Sequence, residues 1–561
     1  MSTALEQFLQ QHVDMVQPLD KAAGLAYWNF TATGDKRYEE ELTQLQVTLR
    51  KVYADRDRFK QLQALTANRQ IDDPLTARQA TLLTHAFTGN QMDDETIEEL
   101  TRREVAIESV FNTFRAELDG KKVTDNEIKD ILRESDDLEL RRRAWEASKQ
   151  IGVQVAQPLV ELVELRNRIA RDIGFENYYS MSLKLQELDE NELFATFDQL
   201  DRLGRQAYRT YKNDLDAALS ERFDAPAEAL RPWHYSDPFF QEAPNLDPEI
   251  RRLLSQTYAD QDIEGLTRRF YHAVGLDIDD VLARSDLYER EGKQQHAYCI
   301  HIDREGDVRI LANIRPNEWW MSTMLHECGH AAYDKYLDRN LPYLLRQPAH
   351  TLFTEAVAML MGRLSTDGDW LMTYAGVEPQ KATELGDKLN RQLRGQLLIL
   401  SRWVPVMSHF ERALYQDPRQ ALDSLWWDIE ERFQMVPRPE GRHTPDWAAK
   451  IHLGTAPVYY HNYLMGELLA SQLRHHIDTE VLGGDVETNH LFVTDPRVGT
   501  YLRQRVFSSG ASRHWQDTLE AATGERLNPL YFVQQVEEGP PDSGADSSSS
   551  KTGKIYHDKQ K

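Results

Sequence analysis

Through residues 1–120 the apolar positions, many of them Leu, recur at helical spacing among Gln, Glu and Arg, with few Gly or Pro. That is the pattern of long amphipathic helices, divided by short polar breaks at Gly34-Asp35 and Asp72-Asp73-Pro74. Asp125-Asn126-Glu127-Ile128 opens another helix, and Leu138 to Leu185 continues in the same style with an interruption at Gly174-Phe175. The charged faces read as solvated helix surface. No repeat of about 20–50 residues emerges, which argues against a solenoid. Pro232-Trp233-His234-Tyr235-Ser236-Asp237-Pro238 is rich in turn formers and aromatics and is expected to line a cleft. The period changes only later. His296 to Ile302 and Val308 to Ala312 are two β-favouring runs around the polar turn Asp303 to Asp307, the signature of a hairpin. Its second strand leads into an apolar helix that starts near Pro316. Further helices reach about Val536, after which Gly539-Pro540-Pro541 and a serine run cannot bury a core and are expected to be disordered. The pattern predicts a mainly α chain: one domain over 1–537 with a small antiparallel sheet, then a polar tail over 538–561.

The apolar helix carries the chemistry. His326-Glu327-Cys328-Gly329-His330 places two histidines four apart, on one face of a helix. Two imidazoles side by side suit a zinc ion, which takes nitrogen ligands tetrahedrally. Glu327 then lies within reach of a metal-bound water as general base. Gly329 keeps the helix surface low beside the second histidine. In a chain of this composition an H-E-x-x-H is expected by accident well under ~0.1 times. A catalytic zinc needs a third protein ligand. Glu355 stands 25 positions after His330 in the apolar run Leu352-Phe353-Thr354-Glu355-Ala356-Val357, where an unpaired buried carboxylate would be costly. Zinc ligation removes that cost; a partly exposed Glu, or one paired with an Arg such as Arg363, is the alternative.

Bulk properties narrow the partners. The chain has 561 residues, 40% hydrophobic, with Lys+Arg 66 against Asp+Glu 91 and a net charge of -25. That acidity argues against nucleic acid or an anionic membrane as partner. Two cysteines, Cys299 and Cys328, make no disulfide framework and fit a reducing compartment. The first residues lack a basic segment followed by an apolar core, and no run approaches about 18 apolar residues. A cytoplasmic protein is expected.

These residues in this order resemble the angiotensin-converting-enzyme-like zinc peptidases. That family carries a His-Ala pair on a strand, a D-x-R-I strand, an H-E-x-G-H helix and an E-A-containing helix. Here they correspond to His296-Ala297, Asp307-Val308-Arg309-Ile310, the motif itself and Glu355-Ala356. A K-x-H followed by two tyrosines three apart corresponds to Lys450-Ile451-His452 and Tyr460-His461-Asn462-Tyr463. Weaker echoes reach Trp28-Asn29-Phe30 and Arg166-Asn167. The thimet-oligopeptidase-like family is similar too, through His452-Leu453-Gly454 and Tyr459-Tyr460, while the His296-Ala297 register favours the first.

The resemblance implies a helical ellipsoid split by a deep central cleft, with N-terminal helices over its mouth. It also implies one zinc ion per chain, held by His326, His330 and Glu355. Tyr463 would donate to the carbonyl oxygen that gains charge, with His452 and His296 on neighbouring substrate carbonyls and the Ala297 main chain pairing with an extended peptide. Lys450 and Tyr460 would hold the peptide's terminal carboxylate. The chain departs from the family at four points. Met359 stands where an acid would support a zinc histidine. Asn462 replaces the Arg of chloride-activated members. The Gln that helps hold the carboxylate has no counterpart around Trp233-His234-Tyr235, and the family's disulfides are missing. The expected function is a monomeric zinc metallopeptidase of the gluzincin type that acts on short peptides, as a peptidyl-dipeptidase releasing C-terminal dipeptides. The alternatives are an oligopeptidase cutting internal bonds, a catalytically silent peptide-binding protein, and a hydrolase of non-peptide amides.

Overall fold

A computed structural model describes residues 3–67, 71–244, 248–484 and 491–537. The tail expected to be disordered lies outside these residues. The first helix, α1 (Ala4–Thr33), opens with a capping box in which Thr3 and Glu6 satisfy each other's main-chain N–H groups. It ends at Gly34, whose φ of 68° puts it in the left-handed region; a side chain there would also meet the Gly292 carbonyl at 2.6 Å. Helices α2 (Lys36–Ala54), α3 (Arg56–Thr66) and α4 (Pro74–Thr88) follow, capped by Asp35, Asp55 and Asp73. The breaks read from the sequence therefore fall at these caps.

These four helices enclose a small core of their own. Leu5, Phe8, Leu9 and Val16 of α1 meet Leu62, Leu83 and Phe87, and Tyr343 and Leu344 from far along the chain close it. The last turns of α1 leave that core and pack elsewhere: Trp28 and Ala32 bury against Ile302 and Leu311.

One element departs from the sequence reading, which took this region for helix alone. Strands β1 (Ala116–Leu118) and β2 (Lys121–Val123) form a hairpin around Asp119-Gly120, both with positive φ (53° and 76°). An Asp-Gly pair suits this turn because it tolerates left-handed backbone at both central positions.

The expected hairpin is present, slightly shorter, as β3 (Tyr298–His301) and β4 (Val308–Leu311), antiparallel with Tyr298 opposite Leu311 and His301 opposite Val308. Asp286 bridges β4 on its far side, so β3 is the edge among the described residues. The motif helix Glu318–Lys335, capped by Asn317, packs on this sheet and on the helix Thr351–Gly362. Thr351–Gly362 is in turn sandwiched against the helix His461–His476. A glycine sets the first crossing, and a second glycine faces the other. A Cβ on Gly329 would lie 2.8 Å from Ala358 Cα, and one on Gly466 would lie 3.4 Å from Met359 Sδ. The shared interior, with Met321, Leu325 and Cys328 on one side and Phe353, Ala356 and Val357 on the other, belongs to the main core. Among the described residues no helix is long and apolar enough to cross a membrane.

Candidate metal centre

The motif lies on a helix, so His326 and His330 project from one face, their Nε2 atoms 3.2 Å apart. Glu355 comes from the neighbouring helix, its Oε2 3.9 Å from His326 Nε2 and 4.0 Å from His330 Nε2. Among the described residues this is the one group of three such side chains whose donor atoms all lie within 4.8 Å of one another. Arg363, the alternative partner for Glu355, pairs with Glu467 instead.

The other ring nitrogens are tied down elsewhere. His330 Nδ1 lies 2.6 Å from Thr354 Oγ1, and His326 bonds the Ala358 main chain. Burial holds the two imidazoles near pKa 4 and 3, so both are neutral at pH 7. Two imidazole nitrogens and a carboxylate oxygen thus face one another across a few ångströms, an arrangement that a cation between them would satisfy. Tetrahedral zinc, with bonds of about 2.0–2.2 Å, sets its donors roughly 3.3–3.5 Å apart. The histidine pair already meets that spacing and the carboxylate stands about half an ångström beyond it. The donor set fits zinc. Thr354, immediately before Glu355, supplies the support that the missing acid at Met359 left open.

Glu327 is buried beside the triad. Burial, then the Glu355 charge, push its carboxyl up to about 7, against a main-chain hydrogen bond from Cys299. A cavity of about 540 Å³ opens on Glu327, the three metal-ready residues and Ala297, and continues past Arg304, Asp334 and Arg346. His296 is exposed just before β3 and does not line that cavity, so only the second member of the His-Ala pair is in place.

A second cluster gathers the downstream residues. The His452 ring lies 4.9 Å from that of Tyr460 and 6.4 Å from that of Tyr463, and the two tyrosine rings are 5.2 Å apart. His452 Nδ1 is buried without a partner, and burial drops the ring to about pKa 4. Tyr463 is raised by burial and then by the Glu355 charge, which ties this cluster to the metal-ready triad. Lys450, only 7% exposed, lies over the rings of Phe239, Trp403 and Tyr460 at 5.2–5.4 Å. Its Nζ donates to Gln241 Oε1 at 2.5 Å, and the Tyr460 hydroxyl is 3.5 Å from the same atom. This corrects the sequence reading, in which no Gln accompanied Lys450 and Tyr460. The residue lies six positions beyond Tyr235, at the end of a turn whose path the local sequence did not reveal. Pro232–His234 itself forms a single 3₁₀ turn, and His234, Ser236 and Asp237 are buried and do not line the metal cavity.

Comparison with known proteins finds peptidases among the chain's relatives. The chain is 24% identical over 448 residues to the angiotensin-converting enzyme of Haematobia irritans exigua, covering 72% of this chain and 70% of that protein. It is 24% identical over 421 residues to the angiotensin-converting enzyme-related protein of Drosophila melanogaster, covering 69% and 66%. An inactive angiotensin-converting enzyme-related protein of Caenorhabditis elegans is 20% identical over 241 residues, 40% of this chain and 26% of that one. The chain thus spans about two thirds of the first two relatives. The family model for angiotensin-converting enzyme matches residues 1–217. That for peptidase family M3 matches residues 131–538, a stretch that contains both clusters, and on this match over well more than half its length the chain belongs to peptidase family M3.

Proposed function

We propose that the chain is a zinc-dependent peptidase that hydrolyses short oligopeptides and releases C-terminal dipeptides. The observation that carries this reading is the convergence of His326 Nε2, His330 Nε2 and the Glu355 carboxylate beside a buried Glu327. Zinc held there supplies Lewis acidity toward the scissile carbonyl and acidifies a water. Glu327, poised near pH 7, accepts the proton of the attacking water and passes it to the leaving amine. Tyr463 donates a hydrogen bond from its hydroxyl to the carbonyl oxygen as charge develops there, and His452 binds a neighbouring carbonyl. The open edge of β3, entered through Ala297, offers main-chain groups to an extended peptide. Lys450, Gln241 and Tyr460 hold the peptide's terminal carboxylate. Residues 1–537 act as one catalytic unit, a monomer of the cytoplasm, with the tail apart from it. Asn462 in place of an Arg leaves activity independent of chloride.

A second reading, cleavage of internal bonds, draws on membership of family M3 and on the similarity to thimet oligopeptidases. Mass spectrometry of short peptides with free and amidated C-termini separates the two, with Glu327→Gln as the inactive control. Dipeptides released from free ends only support the first reading. Internal cuts indifferent to amidation support the second, and no cleavage by zinc-loaded protein overturns both.

A further inference from the structure

The turn that delivers Gln241 to Lys450 is held with unusual completeness. Asp237, 1% exposed, accepts three main-chain N–H groups: Phe239 at 2.9 Å and Glu242 at 3.0 Å, with Gln241 at 3.0 and 3.2 Å from its two oxygens. The turn's carbonyls are held just as closely. Lys149 Nζ and Trp145 Nε1 donate to Pro238 O at 2.7 and 3.0 Å, and Gln434 Nε2 donates to Phe239 O and Phe240 O. Gln396 spans the far side, accepting from Ala243 N at 2.8 Å and donating to Gln241 O at 3.2 Å. Phe240 adopts a φ of 49°, a left-handed conformation that a bulky residue takes only when its surroundings impose it.

Neutral groups alone can hold a turn, yet this one uses a buried acid and a buried amine; burial pushes the Asp237 carboxyl up, and the Lys149 amine down to about 7, the mark of the cost of desolvating each as an ion. Electrostatics gives a reason. Asp237 is the foremost negative influence on Lys450, and Lys149 stands 3.2 Å from the centre of the Phe239 ring, which Lys450 also overlies. An Asp237 charge therefore does two things at once: it shapes the turn and favours a cation where a carboxylate is to be bound.

We propose that Asp237 is a positioning residue for recognition of the peptide C-terminus, fixing through the Phe239–Glu242 amides the turn that aims Gln241 at Lys450. The inference rests on the reading of Lys450, Gln241 and Tyr460 as a carboxylate site. Asp237 itself touches no substrate; it acts through Gln241 and Lys450.

The test compares two peptides identical except for a free or amidated C-terminus, with kcat and KM measured separately on wild type, Asp237→Asn and Gln396→Ala. Asp237→Asn keeps the side chain's size, removes the charge and turns one accepting oxygen into a donor that faces main-chain N–H groups; Gln396→Ala loosens the same turn from a half-buried side and leaves no buried charge unpaired. The expected result is a rise in KM for the free-acid peptide of about 10–100-fold in Asp237→Asn, as for loss of a charge-assisted hydrogen bond, and a smaller rise in Gln396→Ala. The ratio of kcat/KM between free and amidated peptides falls toward one in both. A role confined to stability lowers both peptides alike and overturns the inference, as does an unchanged ratio in the folded variants. If Asp237→Asn fails to fold, Gln396→Ala decides. A wild type that does not discriminate the two peptides overturns the carboxylate reading, and this inference with it.

Discussion

Gly329→Ala tests the idea that the metal site is set by how closely two helices approach. Local helix propensity alone says the change is favourable, by about 1 kcal/mol, because Ala is the better helix former. Packing says the opposite. The new methyl would lie 2.8 Å from Ala358 Cα, 3.2 Å from Ala358 N and 3.3 Å from Val357 O, all main-chain atoms that cannot swing aside. Carbon atoms in contact prefer roughly 3.5–4.0 Å, so the motif helix and Thr351–Gly362 must separate by nearly 1 Å. Overpacking of this kind costs about 1–3 kcal/mol, enough to outweigh the propensity gain. The displacement also carries Glu355 away from His326 and His330, whereas metal–ligand distances tolerate only about 0.2 Å. We expect the metal-free variant to melt below wild type and its zinc affinity to fall about 10–100-fold, although no ligand has been altered. Competition against a colour-forming chelator gives the affinity, and thermal unfolding in excess chelator gives the stability. A variant that melts at or above wild type and binds zinc within twofold of it would show that the crossing has slack, and the reasoning would fail.

Other expectations concern titration and metal removal. Burial holds Lys450 down at about pKa 8, with Asp237 and Glu242 pulling it up and Lys129 pushing it down. It is a cation below that pH, so KM for free-acid peptides should rise as pH passes 8 while amidated peptides show no such limb; parallel profiles for the two would refute the assignment. His12 sits fully buried in the α1–α4 core with both ring nitrogens unpartnered, and burial, then Arg58, lower it from 6.5 to about 4. Between those values the unfolded chain binds the proton and the folded one does not. The stability is present above pH 6.5 and lost as pH falls to 4, by up to about 3 kcal/mol. Hydrogen exchange in α1–α4 should accelerate over that window in wild type and not in His12→Leu. Removal of zinc by a chelator should lower the melting temperature by an amount that grows with the zinc concentration it replaces, and Glu355→Gln should abolish most of that dependence.

Legibility in the sequence followed the distance over which each feature is determined. The histidine pair and Glu327 were readable because helical period alone puts them together, and the β3–β4 hairpin because both strands and their turn are contiguous. The β1–β2 hairpin had its signal in Asp119-Gly120, but three-residue strands are too short to show a period against the surrounding helices. Thr354 was unreadable as the support of His330, since their contact depends on how Gly329 lets two helices cross. Gln241 was hidden for a similar reason: its turn is shaped by Lys149, Gln396 and Gln434, whose proximity no local pattern encodes. His296 is the reverse case, a residue singled out by resemblance that stands exposed outside the cavity.

The position of α1 has a consequence for how the chain is made. Its last turns bury Trp28 and Ala32 against Ile302 and Leu311, and its first turns share a core with Tyr343 and Leu344. During synthesis at about 5–20 residues per second, these partners emerge roughly 15–60 s after α1 itself. For that interval Trp28 and Ala32 have no lasting cover, whereas the Leu5–Phe8–Leu9 face meets Leu62, Leu83 and Phe87 early and waits only for Tyr343 and Leu344 to close its core. The end of α1 is thus among the last parts of the helix to gain its native packing, which the hairpin completes.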